Sequence, residues 1–122
     1  MAADKIQSLE VAVSSGVPVI HLRSEIVDDE ALREFQTALD ELAVSATASI
    51  VVHLGDVRFV DSRFFDSLVT TEKRLRVQKR RIILCQMQTD VRNVVRVTGI
   101  NRFIACRDSF SEALDEAVAM ST

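Results

Sequence analysis

Ser49-Ile50-Val51-Val52-His53-Leu54-Gly55-Asp56-Val57-Arg58-Phe59-Val60-Asp61-Ser62-Arg63-Phe64-Phe65-Asp66-Ser67-Leu68 passes from an apolar block into an amphipathic repeat. Residues 48–54 form a nearly continuous apolar run, the pattern of a central strand covered on both faces. Gly55-Asp56 reads as a turn. From Ser62 to Val77 the spacing predicts a helix, with Phe65, Leu68, Val69 and Leu75 as core contacts. Phe64 and Phe65 stand about 100° apart on that helix. Phe65 shares the core spacing, so Phe64 is expected to lean outward as an exposed anchor for a partner. Ser62 falls at the strand-to-helix junction, as N-cap or first-turn residue. A hydroxyl there satisfies an unpaired backbone N–H. The same place favours a phosphate, because free N–H groups and the helix dipole point at it.

The same alternation extends in both directions. Leu9 to Val13 alternates apolar and polar residues, Ser14 to Val17 breaks the pattern, and Pro18 to Leu22 resumes it. This predicts a β-hairpin, with Pro18 at an edge or at strand entry. After a connector at residues 24–27, Asp28 or Asp29 caps a helix carrying Ala31, Leu32, Phe35, Ala38, Leu39 and Leu42 at helical spacing. Val44 to Thr47 reads as a loop. Downstream, Arg81 to Cys85 is a buried strand. Thr89 or Asp90 then caps a short helix with Val91, Val94 and Val95 on one face. Gly99 suits the left-handed position that ends it. Phe103 to Cys106 reads as a short strand. Asp108 or Ser109 caps a last helix, with Phe110, Ala113, Leu114, Ala117 and Val118 at core spacing.

The order β-β-α-β-α-β-α-β-α implies an α/β fold, a mostly parallel sheet opened by an N-terminal β-hairpin, with four helices. Its parallel crossovers are right-handed. Steps in one direction would gather the helices on one face, and one reversal would make the sheet doubly wound. The pattern leaves both open.

At 122 residues the chain is expected to form one domain spanning 1–122. A net charge of −3 gives no global attraction to nucleic acid or anionic membrane. No apolar run approaches the ~20 residues needed to span a bilayer. Residues 1–7 lack the apolar core of a signal peptide, so a cytoplasmic location is expected. Cys85 and Cys106 lie in apolar runs and are expected to be reduced thiols rather than a disulfide.

The chemistry-bearing residues form no catalytic pattern. His21 and His53 sit in strands among apolar neighbours, where packing explains them. No nucleophile elbow and no Gly-rich phosphate loop is present. Asp56, Asp61 and Asp66 are close in sequence, but turn and cap duties account for the first two without Mg²⁺. Neither enzymatic activity nor a cofactor or metal is expected. The run Lys73 to Arg81 carries six cations without interleaved aromatics. A solvated helix face with cations at its C-terminal end explains it better than a nucleic-acid patch.

Three segments, in order, resemble the STAS domain family in its stand-alone bacterial, anti-sigma factor antagonist form. They are Leu22-Arg23-Ser24-Glu25-Ile26-Val27, Val57-Arg58-Phe59-Val60-Asp61-Ser62, and the stretch from Val91 through Val97-Thr98-Gly99-Ile100 to Ser109-Phe110-Ser111-Glu112-Ala113-Leu114. The resemblance spans essentially the whole chain. It implies a singly wound sheet with helices mainly on one face. It also implies a protein partner, a serine kinase anti-sigma factor, whose capture releases a sigma factor. The kinase would phosphorylate the serine matched by Ser62, and a phosphatase would reset it. The partner surface would comprise Glu25, Asp61, Ser62, Arg63, Phe64 and Asp66. Ser24 and Val27 stand where the family usually has Gly and Asp, and Phe64 and Asp66 stand in place of two glycines. The alternative is a non-switching STAS module, acting as a scaffold or as a subunit of a lipid-transport ABC system.

Overall fold

A computed structural model of the chain describes residues 8–120. The segment Met1 to Gln7, read above as lacking a signal peptide, lies outside the described residues.

Strands β1 (Leu9–Ser14) and β2 (Val17–Leu22) form the expected antiparallel hairpin. Ser15 and Gly16 turn it, both with positive φ, 53° and 80°. A two-residue turn of that hand matches the twist of the strands. Pro18 faces Val13 across the hairpin, while the ladder to the next strand starts at Val19, so Pro18 marks strand entry and not an edge. There follow α1 (Asp29–Ser45), β3 (Ile50–His53), α2 (Ser62–Val77), β4 (Ile82–Cys85), α3 (Thr89–Thr98), a 3-10 turn (Ile100–Arg102), β5 (Ala105–Arg107) and α4 (Phe110–Met120).

The sheet order is β1-β2-β3-β4-β5, and every ladder after the hairpin is parallel. The sheet is therefore singly wound. Strand periodicity splits the core into two layers. Ile50, Val52, Ile82 and Leu84 point into the larger layer with α1, α2 and α3. Val51, Ile83 and Cys85 point the other way, against Ala113 and Ala117 of α4. One-directional right-handed crossovers put three helices on one face. The last helix follows the last strand, bridges nothing, and covers the other face.

Several boundaries differ from the local pattern for identifiable reasons. Helix α1 starts at the expected cap, the Ala31 N–H donating to Asp28 Oδ1 at 2.9 Å. It runs on to Ser45, through residues read as loop. Its last-turn carbonyls, which lack partners within the helix, are met by the buried Arg80 guanidinium, which donates to Leu42 O and Ala43 O at 3.0 Å each. Helix α3 is preceded by Gln88, with no side-chain cap bond, rather than capped by Thr89 or Asp90. Gly99 takes the left-handed conformation as expected, with φ 78°. Val94 faces away from the core that holds Val91 and Val95. Strand β5 begins only at Ala105, because Phe103 closes the 3-10 turn beneath the Arg76 guanidinium, 4.2 Å from its ring centre. Ser109 opens α4 in a reciprocal pair with Glu112: Glu112 N–H donates to Ser109 Oγ, and Ser109 N–H to Glu112 Oε1. Val118 is exposed rather than core.

Lys73, Arg74, Arg76 and Lys79 of the basic run are exposed, as a solvated face requires, whereas Arg80 is buried and Arg81 half-buried, so the end of the run is structural. Glu72 is fully buried and accepts from Arg76 Nε at 2.9 Å, Arg81 Nε at 2.6 Å and the Ile82 N–H at 2.7 Å. Arg74 pairs with Asp40 of α1 at 3.0 Å.

Candidate functional site

The start of α2 is built by the tripeptide Asp61-Ser62-Arg63. Asp61 is the N-cap and holds extended backbone; its Oδ1 accepts from the Arg63 N–H at 2.9 Å. Ser62 is therefore the first helical residue rather than the cap. It is exposed, and its hydroxyl has no hydrogen-bond partner among the described residues. The Arg63 guanidinium reaches Asp61 Oδ2 at 2.7 Å and Asp29 Oδ1 at 2.8 Å. It thus ties the first turn of α2 to the first turn of α1. Its hydrogen bond holds the Asp61 carboxyl below the usual carboxylate range, and the Arg63 pKa is raised in return by Asp61 and then Asp29.

Phe64 does not lean outward. It is 0% exposed and stacks on Phe35 of α1, ring centres 4.8 Å apart, while Phe65 is only 6% exposed. The two rings meet edge to face at 5.5 Å. Adjacent residues can both be buried here because α2 lies between neighbours. Phe64 faces α1, and Phe65 faces Val94, Thr98 and Ile100 on the other flank. The expectation that Phe64 offers a surface anchor is therefore corrected.

The exposed aromatic beside Ser62 is instead Phe59, 54% exposed, next to Ile26 at 58%. A parallel bridge joins these two residues. The Arg58 and Phe59 N–H groups donate to Glu25 O at 2.7 and 3.0 Å, and the Val27 N–H donates to Phe59 O at 3.0 Å. Glu25 and Arg58 form a loose ion pair at 3.6 Å beside them. Sequence reasoning missed both apolar residues; their one signal is that they lie between periodic segments, where no core claims them. Behind Ser62 a groove of about 270 Å³ opens between α2 and α3, floored by Val60, Phe65, Val94 and Ile100, with Asp66 on its rim.

The other candidates lie elsewhere. His21 and His53 are register partners on β2 and β3, their rings 4.1 Å apart, with His21 Nε2 3.1 Å from Asp56 Oδ2. Burial, and then His21, lower the His53 pKa. Asp56 thus belongs to the histidine pair and Asp61 to Arg63. Among the described residues no group of three or more such side chains is placed to hold a metal. Both cysteines are free; burial pushes Cys85 up to about 12 and also raises Cys106. No helix among the described residues is long and apolar enough to cross a membrane.

A family model for the STAS domain matches residues 8–117. None of the curated proteins compared matches the chain. Among solved structures, a candidate anti-sigma factor antagonist from Thermotoga maritima is similar at TM-score 0.80 and 22% identity, covering 89% of this chain and 93% of that one. An anti-sigma-factor antagonist (STAS) domain protein from Planctomyces limnophilus is similar at TM-score 0.77 and 22% identity, covering 93% of this chain and 98% of that one. The antagonist SpoIIAA, in its unphosphorylated form, is similar at TM-score 0.74 and 20% identity, covering 88% and 94%. Its phosphorylated form from Bacillus is similar at TM-score 0.68 and 19% identity, covering 88% and 97%.

Proposed function

The chain belongs to the STAS domain family, and on that premise we propose that it is a regulatory protein-binding module, an anti-sigma factor antagonist switched at Ser62. Its partner is a serine kinase anti-sigma factor, which binds the unphosphorylated chain and is lost on phosphorylation; a phosphatase resets the cycle. The observation that carries this reading is the unengaged, exposed hydroxyl of Ser62 on the first turn of α2, three residues after exposed Phe59, which is bridged to exposed Ile26. That combination offers a modifiable group next to an apolar anchor. The solved SpoIIAA forms supply a fold-level analogue in both phosphorylation states.

The switch acts on the partner rather than on the fold. Phosphate adds about −1.5 to −2 charges. The helix dipole favours it there, while Asp61 and Asp66 oppose it, so the two effects offset within the chain. Across an interface a doubly charged group meets a surface shaped for a hydroxyl and is left unpaired, at a cost of several kcal/mol. A loss of ~3 kcal/mol weakens binding more than a hundredfold. Glu25, Asp61, Arg63 and Asp66 form the polar part of the contact surface, and Phe59 takes the anchoring role that Phe64, being buried, does not.

The test is incubation with a serine kinase anti-sigma factor from the same organism and ATP, followed by phosphosite mapping by mass spectrometry. Phosphate on Ser62 is expected, with normal folding and poor kinase binding for Ser62→Asp. An unmodified Ser62, with unchanged affinity for Ser62→Asp, would overturn the switch and leave a constitutive scaffold or transporter-subunit module.

A further inference from the structure

The two edges of the sheet carry opposite charge. Strands β1 and β5 are each paired on one side only among the described residues. At the β1 edge a groove of about 670 Å³ runs between β1 and α1, with Leu9 and Val11 beside Glu30, Glu34 and Glu41 against one cation, Arg33, so its balance is acidic. At the β5 edge a groove of about 240 Å³ runs between α3 and β5, with Met87 and Cys106 beside Arg92, Arg96 and Arg107; Asp108, 3.7 Å from Arg92, is the one carboxylate among them, so the balance is basic. Arg102 extends this basic edge into the adjoining groove. Both grooves open on the same face of the sheet, since Leu9, Met87 and Cys106 all pack against the core layer under α1–α3.

We propose that copies of this chain associate head to tail, the β5 edge of one docking on the β1 edge of the next. The topology allows it without inversion. β1 runs antiparallel to β2, and β2 to β5 run parallel. A copy translated sideways across the sheet therefore meets β5 with an antiparallel β1. The same translation sets α3 of one copy beside α1 of the next, so Arg92 and Arg96 face Glu34 and Glu41. Each of these pairs projects from one side of its helix.

Charge also selects against the other pairings. Joining β1 to β1 would bring two acidic α1 faces together, and joining β5 to β5 would do the same for the arginines. A two-fold closed dimer through either edge is thus disfavoured, and the favoured contact is heterologous, which grows as an open chain or closes as a ring. Val11 and Val13, 47% and 72% exposed on β1, add apolar area to the contact. Strand β5 has only three residues. The new ladder is correspondingly short, and the association is weak and concentration-dependent.

Sedimentation velocity over a rising concentration series tests this. At low salt the mean mass is expected to climb past that of a dimer, and to fall back in about 0.5 M salt, where the screening length shrinks to about 4 Å. Arg92→Glu/Arg96→Glu and Glu34→Arg/Glu41→Arg should each be folded and monomeric, with a melting temperature lowered only by the loss of surface contacts to Asp108, Asn93 and Ser8. Mixed one to one, they should associate again, because each then presents the charge the other lacks. A parent chain that stays monomeric at every concentration overturns the proposal. So does association that ignores both charge reversals, or an arginine edge that retains only a polyanion such as heparin, or an acidic edge that retains only a basic peptide.

Discussion

The Phe64 ring lies 4.8 Å from that of Phe35, tilted by 23°, and this stack fastens the first turn of α2 to the middle of α1. The residue two places after Ser62 is thereby part of the core. The exposed hydroxyl stands on a rigid mount, so a charge placed on it meets whatever docks there before it disturbs the chain's own packing.

Truncating the two phenylalanines on either side of Ser62 should give opposite results. Phe64→Ala empties a fully buried site and should cost about 3–5 kcal/mol of stability. Phe59→Ala removes an exposed ring and should change stability by no more than about 0.5 kcal/mol. It should nonetheless weaken partner binding by about tenfold or more. Urea denaturation and a binding titration on the same two variants check this; equal stabilities would remove Phe64 from the core.

Asp61 serves α2 as a cap and Arg63 as a partner. Asp61→Ala should lower the melting temperature, and Asp61→Asn should lower it less, because an amide oxygen still caps. The folded-state pKa of Asp61 lies below the ordinary carboxyl value of 3.8, chiefly through the Arg63 hydrogen bond. Its contribution is therefore full above that value and is lost as the pH falls through the lower, folded pKa. Thermal melts of parent and Asp61→Asn should converge in strong acid; a gap that widens there would contradict the assignment.

Glu72, itself closed to water, holds two partly exposed guanidinium groups and a buried backbone N–H. Glu72→Ala leaves the Ile82 N–H buried without its acceptor and the two arginines without their anion. A loss of about 1–3 kcal/mol is expected, chiefly from that N–H because the arginines are partly exposed, read by chemical denaturation. A change under 1 kcal/mol, on the scale of an exposed ion pair, would mean the network is surface decoration.

His53 should make stability fall in mild acid. Burial and the neighbouring His21 lower its folded pKa below 6.5. The unfolded chain then binds more protons between those two values, so stability is full above 6.5 and declines as the pH drops through the lower, folded pKa. His53→Gln removes the titrating group and should flatten that part of the profile. Melting temperatures taken from pH about 7.5 down to about 5 compare the two chains; an unchanged slope in His53→Gln would assign the acid sensitivity elsewhere.

Local pattern was enough to read the hairpin, to narrow the α1 cap to Asp28 or Asp29, and to read the span of α2 from Ser62 to Val77 and the left-handed Gly99. These follow from interactions within a few residues: strand alternation, a side chain meeting its own backbone, a glycine where a Cβ is strained. Singly wound order came from family resemblance, since right-handed crossovers allow either direction. The burial of Phe64 depended on something no window contains, the helices standing on both flanks of α2. One covered face accommodates a single stripe of side chains, whereas two covered flanks bury neighbours about 100° apart. The same holds for Arg80, which joins the end of α1 across more than thirty residues of chain. It holds also for Phe59 and Ile26, which are exposed because the bridge between their loops turns both away from any core. Periodicity tells a segment which of its residues can share a face, but the number of faces that meet a neighbour is set by the packing of distant elements.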